Sequence, residues 1–262
     1  MSRIILKSND SLNYYPNNKP SDFNVKTINL STLGHHLEVA LTEIIFPSGF
    51  KNVRNGYNQV SIIPVKDEGE ELTIDGITEM PAIAFSIDPN FYTPPALIEE
   101  INSKIHDSLM KLELEEINNQ SWIRLNKKIR IKFGLDIAKI LGFNFGEWST
   151  FGPEKKIIPN RSGPYKSMSL LNVYCNIVEE SLIGENHHQL LRLVNCPYTV
   201  KNDFTFNPSI RFERPYFIPV KRIDTNCIEI KITDSLNLPI EFLGDEPLVV
   251  ILEFRNVGYK GL

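Results

Sequence analysis

The chain has 262 residues, of which 42% are hydrophobic, 10% aromatic and 23% charged, and its formal net charge is −4. This composition is typical of a globular protein, and the chain is long enough to bury a core without disulfides or metal. The acidic balance argues against nucleic acid as the main partner, because a DNA-binding protein carries a basic surplus on one face. The N-terminus lacks a signal-like apolar stretch and no run approaches the ~20 apolar residues of a membrane helix, so we expect synthesis in the cytosol or nucleus without secretion.

Alternating apolar and polar residues dominate the first half of the chain and predict strands over residues 37–46, 58–65, 82–87, 122–125 and 129–133. The last two strands flank residues 126–128, and we expect them to pair as a tight hairpin. After residue 165, strands are predicted at sandwich-like spacing over residues 169–178, 190–194, 202–206, 216–220, 227–233 and 248–255. Within residues 227–233 isoleucines alternate with charged residues, which is typical of a half-buried antiparallel strand.

Two segments break the strand pattern and predict helices. Thr93 is a candidate N-cap with Pro94 at the first helical position, and apolar residues then recur at helical spacing at Leu97, Ile98, Ile101, Ile105, Leu109 and Leu112. A shorter helix is predicted over residues 135–141, ended by Gly142. Residues 143–165 are rich in Gly, Pro and Ser and predict a long loop. We therefore expect a mainly β sandwich with a short helical insertion near residues 90–145.

The sequence contains no signature of a phosphate-binding loop, dinucleotide site, zinc protease or acyl-transfer elbow. The paired histidines, His35-His36 and His187-His188, are adjacent, so in a strand each pair points to opposite faces and cannot chelate one ion. We expect both pairs to lie at turns. A metal enzyme of the cupin type is thus disfavoured, and we predict a non-enzymatic protein with no cofactor and no metal.

The three cysteines, Cys175, Cys196 and Cys227, include no CxxC pair. Cys175 and Cys227 have apolar, strand-like neighbours, as is usual for a buried, unreactive thiol. We therefore expect reduced thiols rather than a disulfide framework.

The basic residues cluster locally in two places, at Lys127, Lys128, Arg130 and Lys132 and again at Lys155 and Lys156. One interpretation is that these are solvated positions on strands and turns. The alternative is a patch that binds phosphate groups. The sequence does not separate the two.

Aromatic residues gather at predicted strand ends and loops, notably Tyr14 and Tyr15 beside Pro16, and Tyr216 beside Phe217. They either fill the corners of a sandwich or anchor a protein interface, where Tyr and Phe are favoured. Trp148 lies in the predicted loop 143–165 and is either a packing residue or a surface recognition residue. The second option suggests an alternative function, a carbohydrate- or receptor-binding β-sandwich.

Several phrases occur in one order along the chain, at residues 8–18, 23–25, 37–47, 90–102, 138–143, 171–178, 190–194, 219–220, 228–232 and 250–255. In their order and spacing they resemble the minor capsid (penton) protein of Polinton/Maverick elements and of the related adintoviruses and virophages. The resemblance extends over roughly residues 4–255.

The resemblance implies one single jelly-roll capsid protein over residues 1–262, with a helix-containing insertion and long loop at approximately 90–165. It implies a structural virion protein that forms homopentamers at the five-fold vertices of an icosahedral capsid. The partners would be the double jelly-roll major capsid protein and, at the vertex, an attachment protein. The family brings no active-site motif to this chain.

The N-terminal segment resembles an arm that reaches neighbouring subunits, but it is apolar and aromatic rather than basic, so no direct nucleic-acid contact is expected. The candidate subunit-interface residues are Tyr14, Tyr15, Pro16, Phe23, Tyr216 and Phe217.

Overall fold

The structure is a computed structural model that describes residues 1–47, 49–64, 82–106, 112–117, 120–125, 129–151, 170–195, 209–221 and 224–257. The strand predicted at 202–206, the turn 126–128, Cys196, Lys155, Lys156 and residues 152–165 of the predicted loop lie outside these ranges.

The first half of the chain contains β1 (Ser2–Lys7), β2 (Asp22–Lys26), a short 3₁₀ helix (Leu30–Leu33), β3 (Leu37–Ile45), β4 (Gln59–Pro64), β5 (Ile83–Ser86), α1 (Pro94–Lys104), β6 (Leu112–Ile117), β7 (Gln120–Leu125), β8 (Ile129–Phe133) and α2 (Leu135–Leu141). The second half contains β9 (Trp148–Phe151), β10 (Leu170–Cys175), β11 (Ser181–Ile183), β12 (Asn186–His188), β13 (Leu190–Asn195), β14 (Ser209–Arg211), β15 (Ile218–Pro219), β16 (Cys227–Asp234) and β17 (Val249–Asn256). These elements form two compact units: unit 1 comprises Met1–Phe50 and Met168–Leu262, and unit 2 is Lys51–Ser167.

Unit 1 is built on two antiparallel sheets. One has the strand order β1-β17-β3-β14, with β15 also paired to β3, and the other has the order β13-β10-β16-β2. Counted along unit 1, with β14 and β15 as one strand and the β11–β12 hairpin left out, these are strands 1-8-3-6 and 5-4-7-2. That arrangement is the eight-stranded jelly roll, so the predicted mainly β jelly-roll fold is confirmed.

The core of unit 1 lies between the two sheets because every second side chain of each strand points inward. In β16, Ile228, Ile230 and Ile232 are buried, while Glu229 and Lys231 alternate with them. In β17, Val250, Leu252 and Phe254 supply the facing layer. The half-buried antiparallel strand predicted from the isoleucine pattern is confirmed.

Unit 2 contains a four-stranded antiparallel sheet in the order β5-β4-β8-β9, the hairpin β6–β7 and both helices. The segment predicted as an insertion, at about residues 90–165, lies within this unit. Arg54 and Asp136 form a buried ion pair in its interior, with Nη2 of Arg54 2.6 Å from Oδ1 of Asp136 and Nε 2.9 Å from Oδ2.

The ends of the two helices show where sequence periodicity succeeds and fails. The side chain of Thr93 accepts a hydrogen bond from the Ala96 amide, which confirms the N-cap, but α1 ends at Lys104 and Leu112 begins β6. The prediction that the helix reaches Leu112 was wrong, because the Leu-Glu alternation from Leu112 suits a strand. The second helix matches its predicted range, and Gly142 ends it in the left-handed conformation at φ 80°.

The predicted pairing of residues 122–125 with 129–133 was wrong. Both segments are strands, but β7 pairs with β6, and β8 pairs with β4 and β9. Among the described residues, no helix combines the length and apolar character needed to cross a bilayer.

Candidate interaction surfaces

The loop between β1 and β2 runs along the outer edge of β2 and seals it. Asn18 reproduces a strand pairing there, because its Oδ1 accepts from the Asn24 amide at 2.9 Å and its Nδ2 donates to the Asn24 carbonyl at 2.8 Å. Further along, the Lys26 amide donates to Oγ of Ser11 at 3.0 Å. Side chains of the same chain therefore satisfy the backbone groups that an edge strand otherwise leaves open.

This loop presents a first lateral patch, which we define as Tyr14, Tyr15 and Pro16. Tyr14 is 62% exposed, and the Lys26 ammonium lies 4.0 Å from its ring centroid. Pro16 is exposed, and Tyr15 is half-buried. A hydrogen bond with the Cys227 side chain, together with burial, raises the pKa of the Tyr15 phenol. The patch is thus anchored to the sheet at its base and open to solvent at Tyr14.

Phe23 does not belong to this surface. Its side chain is 0% exposed and lies in the core between the two sheets. The side chain cannot contact a neighbouring subunit. The expectation that Phe23 is an interface residue was therefore wrong. From the sequence, Phe23 was assigned to the N-terminal arm because it follows a run of loop residues and only Val25 continues its strand pattern.

A second lateral patch consists of Tyr216 and Phe217, just before β15. Tyr216 is 70% exposed. Phe217 is half-buried, with the Arg255 guanidinium 4.0 Å from its ring centroid. Arg255 is held in turn by Glu38, at 2.6 Å between Nη2 and Oε2. Arg255, held by Glu38, therefore fixes Phe217 on the sheet.

A cavity of about 520 Å³ extends this second patch over the outer face of the same sheet. Its lining combines acidic, basic and apolar side chains: Arg3, Thr42, Glu43, Arg211, Phe212, Glu213, Pro215 and Glu253. Within the lining, Nη2 of Arg3 lies 3.6 Å from Oε2 of Glu43. A lining with charges of both signs is not selective for one ion, and it resembles the polar rim of a protein–protein contact.

The two lateral patches lie on opposite sides of the jelly roll. Strands β1 and β2, joined by the loop with the first patch, are edge strands of their sheets. Strands β13 and β14 are the other two edges, and the Arg192 guanidinium of β13 lies 3.7 Å from the ring centroid of Phe212, directly after β14. Tyr216 belongs to that second side, because β14 and β15 both pair with β3.

Trp148 begins strand β9 rather than lying in a loop, and it stands directly opposite Lys132 of β8. The Lys132 ammonium and the Arg130 guanidinium each lie 5.5 Å from its ring centroid. From the sequence, Trp148 was predicted to lie in a loop, and Arg130 and Lys132 were noted only as part of a basic run. Register across β8 and β9 brings them together, which no local pattern reveals.

The histidines and cysteines are dispersed. His35 and His36 lie at a bend as expected, whereas His187 and His188 lie in β12, with the His188 ring 5.8 Å from that of Tyr174. Burial raises the pKa of the Cys175 thiol to about 12, as expected for an unreactive core cysteine. Within the described ranges, no group of three or more His, Cys, Asp or Glu residues is placed to hold a metal ion.

No protein-family model matches the chain, and no curated protein matches it in sequence. The solved structures that are similar to it include two viral ones. The crystal structure of the selenomethionine-labelled mavirus penton protein is 13% identical with a TM-score of 0.45, covering 98% of this chain and 100% of its own. A chain of the 3.5 Å cryo-EM structure of the Sputnik virophage is 10% identical with a TM-score of 0.47, covering 100% of this chain and 99% of its own. The jelly-roll assignment itself rests on the strand order of unit 1.

Proposed function

We propose that the chain is a structural virion protein, a penton (minor capsid) protein that forms homopentamers at the five-fold vertices of an icosahedral capsid. We further propose that it belongs with the penton proteins of Polinton/Maverick elements, adintoviruses and virophages. The observation that carries the proposal is the pair of exposed aromatic patches on opposite sides of one jelly roll. The ordered sequence phrases support the family.

A closed ring needs this geometry. In a ring each subunit uses two different surfaces, one for each neighbour, and the interface is heterologous. The first lateral patch offers Tyr14 and Pro16, and the second offers Tyr216 beside a groove of mixed charge. Aromatic side chains with a polar surround are the usual composition of such contacts.

The sealed edge of β2 fits the same role. A subunit that must pair through side-chain patches is better served by a sheet edge that cannot add a foreign strand. Asn18 and Ser11 occupy the backbone groups of β2 at Asn24 and Lys26. Association on that side is thereby directed to the exposed ring of Tyr14.

The proposed partners are further copies of this chain, the double jelly-roll major capsid protein that surrounds a vertex, and a vertex attachment protein. Direct binding of the genome is not part of the proposal, because the first lateral patch is aromatic and carries Lys26 already placed over Tyr14. The proposed role is mechanical, without catalysis.

The test uses the purified protein with the major capsid protein of the same element, imaged by negative-stain electron microscopy. Wild-type protein is expected to form five-fold rings and to occupy particle vertices. Tyr14→Glu and Tyr216→Glu each place a charge in one patch, so each variant alone should fail to form rings. Because each retains the patch that the other lacks, an equimolar mixture should give dimers but no rings.

The matched control is Leu236→Glu, which changes an exposed apolar residue in the turn after β16, outside both patches. This variant should form rings like the wild type. A protein that stays monomeric and never enters particles would contradict the proposal. Rings that form equally well with both patch variants would leave the capsid role standing but reject these patches as the interface.

A further inference from the structure

The outer face of the unit 2 sheet is basic, polar and aromatic at once. Alternation of buried and exposed positions assigns residues to it: Val60 and Ile62 point inward, as do Ile129 and Ile131. Cross-strand register then places these residues on the outward side: Ala84, Ser86, Gln59, Ser61, Ile63, Arg130, Lys132, Trp148 and Thr150. Among these described positions there is no aspartate or glutamate, although the whole chain has a net charge of −4.

The centre of this face is the Trp148 ring between two cations. The Arg130 and Lys132 charges each lie 5.5 Å from its centroid, and neither residue forms an ion pair with a carboxylate in the part of the chain that the structure describes. A cation over an indole is attracted by the ring but keeps its N–H donors available at the ring's margin. The face therefore offers charged donors next to an apolar ring.

We propose that this face, defined by Trp148, Arg130 and Lys132 with the hydroxyl and amide groups of Ser61, Thr150 and Gln59, binds an anionic polysaccharide that carries sulfate or carboxylate groups. A sugar ring can lay its C–H face on the indole and direct its hydroxyls to the neutral side chains. Its anionic substituents then reach the guanidinium and ammonium, where charge-assisted hydrogen bonds are the strong contacts.

The composition of the face favours a polysaccharide over a nucleic acid. Single-stranded nucleic acid is held by successive aromatic rings on which neighbouring bases stack. Here Trp148 is the one aromatic side chain among the outward positions identified above. The inference goes beyond the proposed capsid role and does not depend on it.

The test measures binding of the purified full-length protein to immobilised heparin by biolayer interferometry over a series of salt concentrations. Wild-type protein should bind heparin and not neutral dextran. The double variant Arg130→Ser with Lys132→Ser should weaken binding by at least about ten-fold, the scale of one lost hydrogen bond to a charged group. Trp148→Ala should weaken it by about ten-fold, the scale of losing one aromatic contact residue. Trp148→Phe keeps an aromatic ring and should fall between wild type and alanine.

The matched control is Lys7→Ser with Lys231→Ser, which removes two exposed cations from unit 1, outside both lateral patches, and leaves the unit 2 face intact. It should bind heparin like the wild type. Absence of heparin binding, or an equal loss in this control, would overturn the proposal. Stronger competition by single-stranded DNA or by polyglutamate than by free heparin would overturn the polysaccharide assignment in favour of a nucleic acid or an acidic peptide.

Discussion

The two units of the chain are stabilised by different means. Unit 1 encloses a continuous apolar core between two sheets, in which the largest side chains include Phe23, Phe46 and Phe254. Unit 2 has an apolar cluster of its own, which is smaller among the described residues, and adds the ion pair of Arg54 and Asp136, whose side chains are 3% and 2% exposed. The Asp136 carboxylate also accepts from the Arg54 amide at 3.0 Å.

The comparison of the two units shows two different ways in which a protein can specify its fold. In unit 1, strands from the two ends of the chain pair directly, with Ser2 opposite Phe254, so the fold is defined by long-range register and buried area. In unit 2, the ion pair ties the first turn of α2 to a residue 82 positions earlier. A buried ion pair contributes little net stability, but losing one partner is costly because the other charge stays buried.

The largest effect is expected for Phe23→Ala, which empties the centre of the unit 1 core. Removing a buried phenylalanine side chain costs about 3–5 kcal/mol of unfolding free energy. Urea denaturation followed by circular dichroism gives the loss, and hydrogen exchange read by mass spectrometry should show faster exchange in β2 and β16. Tyr14→Ala, a ring that is 62% exposed, is the control and should change stability little. A similar loss in both variants would contradict the burial of Phe23.

A somewhat smaller effect is expected for Asp136→Ala in unit 2. Leaving the Arg54 charge buried should cost about 3 kcal/mol, at the lower end of the usual range, because the Tyr57 ring remains 5.3 Å from the guanidinium. Both tryptophans of the chain, Trp122 and Trp148, lie in unit 2, so tryptophan fluorescence during urea unfolding reports on this unit.

Two further variants sharpen that result. Lys104→Ala removes two partly exposed ion pairs, with Glu100 and with Asp88, and should cost at most about 1 kcal/mol. Arg54→Met with Asp136→Leu removes both charges and should be more stable than Asp136→Ala alone. If the double variant is the least stable, the ion pair itself, rather than the unpaired charge, supplies the stability of unit 2.

The last effect depends on pH and concerns unit 1 alone. Burial raises the pKa of the Cys175 thiol from 9.0 to about 12, so the folded state favours the neutral thiol more than the unfolded state does. That contribution is complete below pH 9 and is lost as the pH rises towards about 12, by at most about 1.4 kcal/mol per pH unit.

The alkaline loss is measured as a difference between proteins, because other groups titrate in the same range. Wild type should lose stability faster than Cys175→Ala above pH 9. Identical slopes for wild type and Cys175→Ala would contradict a buried neutral thiol.

Local pattern was enough to predict the elements that follow one period throughout. The alternation in β3, β8 and β16 and the short apolar helix α2 with Gly142 appear in the structure with almost the predicted bounds. The error at Leu112 arose where helical and strand periods coincide for a few residues. Strand β2 was missed as an element because only two apolar residues, Phe23 and Val25, carry its alternation.

Partners that are distant in sequence could not be predicted in the same way. Nothing near Asp136 indicates that Arg54 will meet it, although a carboxylate in the apolar helix Leu135–Leu141 signals a buried partner. Likewise, the assembly of Trp148 with Arg130 and Lys132 depends on the register of β8 with β9. The two lateral patches were visible as aromatic pairs, but their placement on opposite sides follows only from the strand order of both sheets.

The side chains that cover the edge of β2 also affect which contacts can form between copies of the chain. In the proposed capsid role many copies of the chain are present together before they assemble, and an open strand edge would let them pair edge to edge into a fibre. Because Asn18 bonds both backbone groups of Asn24, another strand can pair with this edge only after these two hydrogen bonds break. The loop that carries the first lateral patch therefore also disfavours fibre growth through the edge of β2.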